Sequence, residues 1–116
     1  MAGLIGEDTA VEGPGSAPAI LIVCASGSPL WIEDCSIAAE AVYLEATNQG
    51  LGTCFVQITG SRTLLKDSEE YVREAINAPK GLRILCLMPI GYPDEKKGGH
   101  KDEEFDENKI HLDGWK

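Results

Sequence analysis

The sequence predicts an α+β domain in which strands and helices alternate along one short chain. Three observations carry this prediction: apolar runs of strand length, helices with recognisable start and stop residues, and a length of 116 residues that suits a single domain. The composition, 43% hydrophobic and 25% charged, is ordinary for a globular protein and is compatible with one moderate core.

The first predicted elements are a strand and a long helix. AILIVCA, Ala19–Ala25, has the length and β-branched content of a strand covered on both faces. Ser28 and Pro29 then supply a helix start, with serine as the N-cap and proline at the first helical position. We expect the helix to continue to Gln49 and to end at Gly50, since glycine suits the left-handed position that follows many helices.

The helix Pro29–Gln49 has a narrow polar stripe. Its polar positions are Glu33, Ser36, Glu40 and Thr47, and apolar side chains or alanines occupy most of the remainder. A helix covered on one side only shows a broader polar face. Burial inside one large domain is an alternative explanation, but a chain of this length has little material for it. The pattern therefore favours a helix-lined interface between subunits.

A strand, a helix and a longer strand follow. TCFVQI, Thr53–Ile58, has the pattern of a strand, and Asp67 and Glu70 have the spacing of a capping box at the start of a second helix. LRILCLMPI, Leu82–Ile90, is the longest strand-like run and is predicted as the central strand.

The two ends of the chain differ from the middle. Residues 1–18 are rich in Gly, Pro, Ala and acids, which predicts a flexible leader before a core over residues 19–93. Residues 94–116 form a charged tail with seven acidic residues between Asp94 and Lys109. Ile110, Leu112 and Trp115 are predicted to anchor the end of this tail on a surface elsewhere.

Charge and cysteine content narrow the function classes. A net charge of −9 disfavours nucleic acid and acidic membrane surfaces as partners. Acidic residues interrupt the N-terminal segment where a signal peptide would need an apolar run, and no apolar run is long enough to span a bilayer, so we expect a cytoplasmic protein. The cysteines form no C-x-x-C pair and are predicted to be buried, reduced thiols without a metal; they are Cys24, Cys35, Cys54 and Cys86.

Gly50 and Gly52 lie in the wrong place for a phosphate loop. In such loops the glycines follow a strand and open a helix, so that amides at the helix N-terminus meet the anion. Here they close a helix and lead into a strand, where carbonyl groups are left over. The order predicts a helix C-cap and a close chain reversal.

These motifs, taken in order, resemble the nitroreductase family of flavoproteins. The resemblance rests on SPLWIEDCSIAAEAVYLEATNQGLGTCFVQI, the capped helix, GLRILCLMPIGYP and a terminal GW, and it covers roughly residues 17–116. It implies a nitroreductase-like three-layer α/β/α fold with a small mixed sheet, truncated to the C-terminal half. It also implies an intertwined homodimer through the helix Pro29–Gln49, with FMN at the subunit interface.

The resemblance also implies which residues contact the flavin. The backbone amides near Gln57 and Ile58 would meet N5 and O4 of the ring, with Val56 beside it. A main-chain N–H at that place stabilises the negative charge of reduced flavin. Without the resemblance, Val56–Ile58 would be interpreted as a buried strand end.

The sequence contains few candidate ligands for the FMN phosphate. Past GYP the family carries a Lys or Arg that helps to hold the phosphate, and Lys97, His100 and Lys101 are candidates here. No arginine-rich phosphate segment of the family type precedes Ala17. Each charge-assisted hydrogen bond lost costs about 1.5–3 kcal/mol. Three outcomes follow: dimerisation rebuilds a reduced site, a separate chain supplies the missing part, or FMN is no longer bound.

The implied function is that of an FMN-dependent NAD(P)H oxidoreductase. Hydride passes to flavin N5 and then to a nitroaromatic, quinone or similar acceptor. Because the cofactor carries this chemistry, the lack of a recognisable catalytic triad or metal motif in the sequence is compatible with it. The alternative is a non-catalytic dimeric module, or a partner subunit of a flavoprotein, that has lost independent FMN binding.

Overall fold

The computed structural model describes residues 17–60 and 67–115, so nearly all of the predicted leader lies outside the described residues. The elements are, in chain order, β1 (Ala19–Ala25), α1 (Trp31–Asn48), β2 (Gly52–Thr53), β3 (Val56–Gln57), α2 (Ser68–Ala75) and β4 (Arg83–Gly91). Two 3-10 turns follow, Asp102–Glu104 and Glu107–Lys109. No helix among the described residues is both long enough and apolar enough to cross a bilayer.

β4 is the central strand, as the sequence predicts. β1 pairs with one side of β4 along its whole length, and β2 and β3 pair with the other side. Each of these described pairings is antiparallel. β1 and β2 therefore run in the same direction, but β4 separates them.

One helix covers each face of the sheet, which gives the expected three-layer α/β/α arrangement. On the first face, Trp31, Cys35 and Ala39 of α1 pack with side chains of β4. On the second face, Val72 of α2 packs with Ile58 and with other side chains of β4. The two cores meet only through the sheet, so β4 contributes to both.

A β-bulge in β4 changes which side chains reach each core. Val23 pairs with Cys86 and Cys24 with Ile84, so Leu85 has no partner in β1. As a result, Leu85 and Cys86 both join the core under α1, whereas Ile84 and Leu87 join the core under α2. On its other side, the Leu85 carbonyl accepts the N–H groups of Ile58 and Thr59, at 2.8 and 3.2 Å.

α1 begins two residues later than predicted. Its N-cap is Leu30, and Ser28 lies in the preceding turn, where Ser28 Oγ accepts the Leu30 N–H at 3.1 Å and donates to Asp34 Oδ2 at 3.2 Å. Pro29 is therefore outside the helix. Ser28 therefore caps the turn before the helix. In the sequence, a serine that caps a turn looks the same as a serine that caps a helix.

The C-terminal end of α1 agrees with the prediction. Gly50 has a φ of +73°, the left-handed conformation, and the Leu51 N–H donates to the Ala46 carbonyl at 2.8 Å. The Gly50 N–H donates to Thr47 at 3.1 Å. These two bonds form a Schellman motif, so the glycine pair closes a helix, as expected.

The predicted strand Thr53–Ile58 is interrupted. β2 and β3 pair with β4 in one continuous register, Thr53 with Ile90 and Val56 with Leu87, which places Cys54 opposite Pro89. Proline has no N–H, so β4 cannot donate to the Cys54 carbonyl and the ladder breaks there.

Two further expectations need correction. β1 is an edge strand of the described sheet and is not covered on both faces, because Leu21 is 43% exposed and Cys24 is exposed. Cys54 is exposed as well, so of the four predicted buried thiols only Cys35 and Cys86 are buried.

α2 begins at Ser68 and is capped by Asp67. The Asp67 carboxylate accepts the Glu69 N–H at 2.8 Å, as its predicted role as N-cap requires.

Candidate functional site

β3 contains two of the predicted flavin contacts, and the third follows it directly. Val56 is half-buried, Gln57 is exposed and Ile58 is buried. The Ile58 N–H donates to the Leu85 carbonyl at 2.8 Å and is thus engaged within the sheet. Successive residues of an antiparallel strand turn their N–H groups to opposite sides, so the Gln57 N–H points away from β4. Of the two amides predicted for a flavin, only that of Gln57 faces the outer edge.

The residue at the break, Phe55, is held from another element. By the same alternation its N–H points to the outer side, where it donates to the hydroxyl of Tyr43 at 2.9 Å. Tyr43 belongs to α1, and its ring packs against the core under that helix. Sequence patterns alone assign no role to Tyr43, and the one signal they contain is an aromatic residue with a polar tip on an otherwise apolar part of the helix.

The GLG and GYP motifs meet in the β2–β4 pairing. Gly52 lies opposite Gly91, and a Cβ on Gly52 would lie 3.4 Å from Pro93 Cβ. A Cβ on Gly91 would lie 3.0 Å from Pro18 Cδ, which is closer than such carbons normally approach. Gly52 and Gly91 therefore allow the chain to pack closely beside β3.

The three candidate phosphate ligands lie in a segment that is exposed throughout. Lys97 Nζ is 3.3 Å from Glu95 Oε1, and His100 Nδ1 is 2.6 Å from Glu104 Oε2. Lys101 is the N-cap residue of the first 3-10 turn. Lys97 and His100 thus contact acids of their own segment. The roles of all three residues stay predictions.

The described residues fit the ring of FMN better than its phosphate. The Gln57 N–H faces away from β4, and Val56 is half-buried against the core under α2, which leaves part of its apolar side chain accessible beside this N–H; this suits a planar apolar ring with polar atoms on one edge. The phosphate carries close to two negative charges, and two of its three candidate ligands, Lys97 and His100, stand beside carboxylates. Among the described residues, no group of three or more His, Cys, Asp or Glu side chains could hold a metal ion.

A buried carboxylate ties α2 to β4, and the sequence did not reveal it. Glu69 is 4% exposed, and its carboxylate accepts the Ile84 N–H at 2.8 Å and two guanidinium N–H groups of Arg83 at 3.2 and 3.1 Å. The guanidinium carbon of Arg83 lies 4.4 Å from the ring centroid of Trp31 in α1. The hydrogen bond to Glu69 raises the pKa of Arg83. This cluster connects both helices through the central strand.

The four free thiols fall into two classes, and this gives a testable difference in reactivity. Burial raises the pKa of Cys35, and it raises the pKa of Cys86 to about 11, so that roughly one Cys86 in a thousand is a thiolate at pH 8. Cys24 and Cys54 are exposed. We expect a disulfide reagent that reports thiolates to titrate two thiols rapidly in the folded chain and four after denaturation. Rapid titration of all four before unfolding would contradict this assignment.

The outward side of α1 is apolar and open. Ile37 is 72% exposed and Leu44 is 65% exposed, and the seven-residue spacing places them on one face. An open groove of about 410 Å³ runs beside this face, between α1 and the sheet; its lining includes Leu21, Ala41 and Ile90. Large exposed side chains grouped on one helix face are typical of a surface that another chain covers.

Comparisons with known proteins agree with this architecture. The family model described as the nitroreductase family matches residues 7–92. A protein named "Putative NADH dehydrogenase/NAD(P)H nitroreductase" from Methanothermobacter thermautotrophicus is 33% identical over 104 residues, covering 85% of this chain and 51% of that protein. A second protein with this name, from Archaeoglobus fulgidus, is 28% identical, covering 86% of this chain and 59% of that protein.

Solved structures give the same result. An FMN-dependent nitroreductase from Clostridium difficile R20291 superimposes with a TM-score of 0.81 at 32% identity, covering 87% of this chain and 60% of that one. A structure described as "Putative NADH dehydrogenase/NAD(P)H nitroreductase" from Bacteroides thetaiotaomicron gives a TM-score of 0.74 at 32% identity, covering 87% of this chain and 58% of that one. The chain thus spans between about half and three-fifths of the length of these relatives. It belongs to the nitroreductase family.

Proposed function

We propose that this chain contributes the flavin edge of an FMN-dependent NAD(P)H oxidoreductase. The observation that carries the proposal is the outer edge of β3, where the bond from Ile58 to Leu85 turns the Gln57 N–H away from the sheet. Membership of the family and the similarity to an FMN-dependent nitroreductase support it. Since the chain covers only part of its relatives' length, the activity of the whole protein belongs to the proposal.

Each residue has a defined task in this proposal. The Gln57 N–H donates to the N5 and O4 edge of the ring, and Val56 contacts the ring face. When bound, FMN supplies hydride transfer between NAD(P)H and a nitroaromatic, quinone or similar acceptor. A backbone N–H suits this edge because it stabilises negative charge on the reduced ring and has no proton to lose at neutral pH.

The phosphate is assigned to Lys97, His100 or Lys101. The ion pair of Lys97 with Glu95 is exposed, with 81% and 72% of the two side chains accessible. Exposed pairs are worth about 0–1 kcal/mol, so Lys97 can exchange its carboxylate for a phosphate at little cost. The neighbouring acids also repel a phosphate, and salt screens this repulsion together with the attraction of the assigned residue.

The proposal includes a homodimer through α1. Ile37 and Leu44 expose most of their surface, and the adjoining groove widens the apolar area that a second α1 would cover. The cytoplasm as the compartment also remains part of the proposal, on the basis of composition.

A visible spectrum with and without added FMN tests the proposal most directly. We expect bound flavin with a perturbed absorbance spectrum, and bleaching of that flavin by NADH under anaerobic conditions. A purified protein that stays colourless, and leaves the spectrum of added FMN unchanged, would overturn it.

A pair of variants at Gln57 sharpens this test. Gln57→Pro removes the outward N–H but no bond to β4, and proline is tolerated on an edge strand where the N–H faces outwards. Gln57→Ala keeps the N–H and removes only the side chain, whose Nε2 donates to the Thr59 carbonyl at 2.9 Å. A bond to a charged group is worth about 1.5–3 kcal/mol, so Gln57→Pro should weaken binding of reduced FMN about tenfold to a hundredfold relative to Gln57→Ala.

One observation favours a second candidate, a dimeric module without its own FMN. Lys97 and His100 both contact acids of their own segment. Such contacts are expected if neither residue serves as a phosphate ligand. In that case the protein would dimerise but add nothing to the spectrum of FMN, a combination that the same titration detects.

A further inference from the structure

We propose that Phe55 is a specificity-determining residue: its ring borders the open face of the bound flavin and stacks on planar aromatic electron acceptors. This inference rests on the proposed function, in which Val56 contacts the other face of the flavin. It assigns acceptor selection to a side chain for which the family resemblance implied no role.

Phe55 is a large aromatic residue that the fold leaves partly uncovered. Its side chain is 38% exposed, although it lies between β2 and β3, next to the central strand. It belongs to neither of the two cores that the described residues form under α1 and α2. Packing inside the described chain therefore accounts for only part of its surface, and the remainder is available to a ligand.

The main chain of Phe55 is held in place although the ladder breaks beside it. Pro89 removes the bond that β4 would donate to the Cys54 carbonyl. The Phe55 N–H, however, donates to the hydroxyl of Tyr43 at 2.9 Å, and the Tyr43 ring packs against the core under α1. This bond fixes the point from which the Phe55 ring projects. An aromatic side chain has few rotatable bonds, so it offers contact area to a ligand at a low cost in conformational entropy.

Phe55 and Val56 project to opposite faces of the sheet. Successive side chains of a strand alternate, and Val56 packs against the core under α2. Phe55 therefore lies on the α1 side, from which Tyr43 reaches its main chain. Neighbouring Cα atoms are about 3.8 Å apart, so a planar ring with one face on Val56 has Phe55 at the border of its other face. An acceptor must approach this second face, because Val56 covers the first.

An aromatic side chain at this border favours flat acceptors over acceptors of other shapes. Offset-stacked aromatic rings attract each other beyond the effect of the area that they bury, and this attraction corresponds to about two- to tenfold in affinity. Nitrobenzene is planar, uncharged and able to stack. Ferricyanide also accepts electrons from a reduced flavin, but it is octahedral and cannot stack on a ring.

The test compares Phe55→Leu with Phe105→Leu, which makes the same change in the tail, where Phe105 is 62% exposed. At saturating NADH, Phe55→Leu should lower kcat/KM for nitrobenzene about two- to tenfold relative to kcat/KM for ferricyanide. Phe105→Leu should leave this ratio unchanged. Phe55→Tyr keeps an aromatic ring and should keep the wild-type ratio.

The second readout is binding without turnover. Nitrobenzene is titrated into the oxidised protein in the absence of NADH, and its dissociation constant is taken from the change in flavin absorbance. We expect this constant to rise about two- to tenfold in Phe55→Leu and to stay unchanged in Phe105→Leu. A residue that only supports folding would lower the melting temperature without separating the two acceptors.

The outcomes separate this inference from the proposed function. Bound flavin in Phe55→Leu, with an unchanged acceptor ratio and an unchanged dissociation constant, would overturn the role of Phe55 alone. Equal losses for nitrobenzene and ferricyanide would also overturn it. Weaker self-association of Phe55→Leu in sedimentation, with an unchanged ratio, would assign Phe55 to a contact between copies and overturn it too. A wild-type chain that binds no FMN would overturn the proposed function, and this inference with it.

Discussion

Replacing Glu69 with alanine is expected to destabilise the folded chain by about 1–3 kcal/mol, because the buried Ile84 N–H loses the carboxylate that accepts its hydrogen bond. The bond joins the first turn of α2 to the central strand. The contribution of Arg83 is left out of this figure, since 46% of its side chain is exposed and water can solvate it. Small domains are stable by about 5–15 kcal/mol, so urea unfolding should resolve the change readily.

Two variants serve as controls for this result. Glu69→Gln keeps an oxygen that can accept the Ile84 N–H and should recover part of the loss. Glu70→Ala removes the next carboxylate of the same helix, which is exposed, and should cost only a few tenths of a kcal/mol up to about 1 through its position at the helix N-terminus. Equal unfolding midpoints for Glu69→Ala and Glu70→Ala would show that the buried carboxylate adds nothing.

A glutamate at Leu44 is expected to weaken self-association at least about a hundredfold and to leave the fold of each chain intact. Leu44 is 65% exposed, so a charge there is solvated in the single chain. In a dimer through α1 the same position would be covered, and the change would lose about 1.5–3 kcal/mol of leucine burial and add the cost of desolvating a carboxylate. Sedimentation measurements over a range of concentrations give the dissociation constant, where 1.4 kcal/mol corresponds to tenfold.

The matched control is Thr47→Glu, which introduces the same charge on the polar stripe of α1. This variant should associate like the wild type, and its circular dichroism should match that of Leu44→Glu. If both variants stay dimeric, another surface forms the contact between copies. If flavin binding persists in a monomeric Leu44→Glu variant, the site does not depend on a second chain.

The sequence predicts elements best where a local signal is sufficient. Ala19–Ala25 has the predicted bounds because an apolar run stops at a turn, and Gly50 ends α1 because only its backbone freedom is needed there. The predicted start of α1 is two residues too early. The Ser28 hydroxyl accepts a backbone N–H in the turn before the helix, and a helix N-cap would use the same kind of hydrogen bond. Pro89 was visible in the sequence, but its effect on Thr53–Ile58 depends on the strand register, which only the structure supplies.

The candidate site shows a similar division. The resemblance pointed to Gln57 and Ile58 together, but the pairing of β3 with β4 turns the two amides to opposite sides. Tyr43 bonds a residue 12 positions away and Glu69 bonds one 15 positions away. Contacts between separate elements leave no period or motif in a single sequence, so neither residue could be identified before the fold was known.

The bulge at Leu85 has a consequence for how near α1 lies to the sheet. The helix turns Trp31 and three short side chains, Cys35, Ala39 and Ala46, towards the interior. Strict alternation along β4 would send only every second residue into that layer. By directing the consecutive residues Leu85 and Cys86 to the same side, the central strand adds apolar volume opposite the short side chains of the helix. Two larger residues of the helix, Ile37 and Leu44, remain on its outer surface.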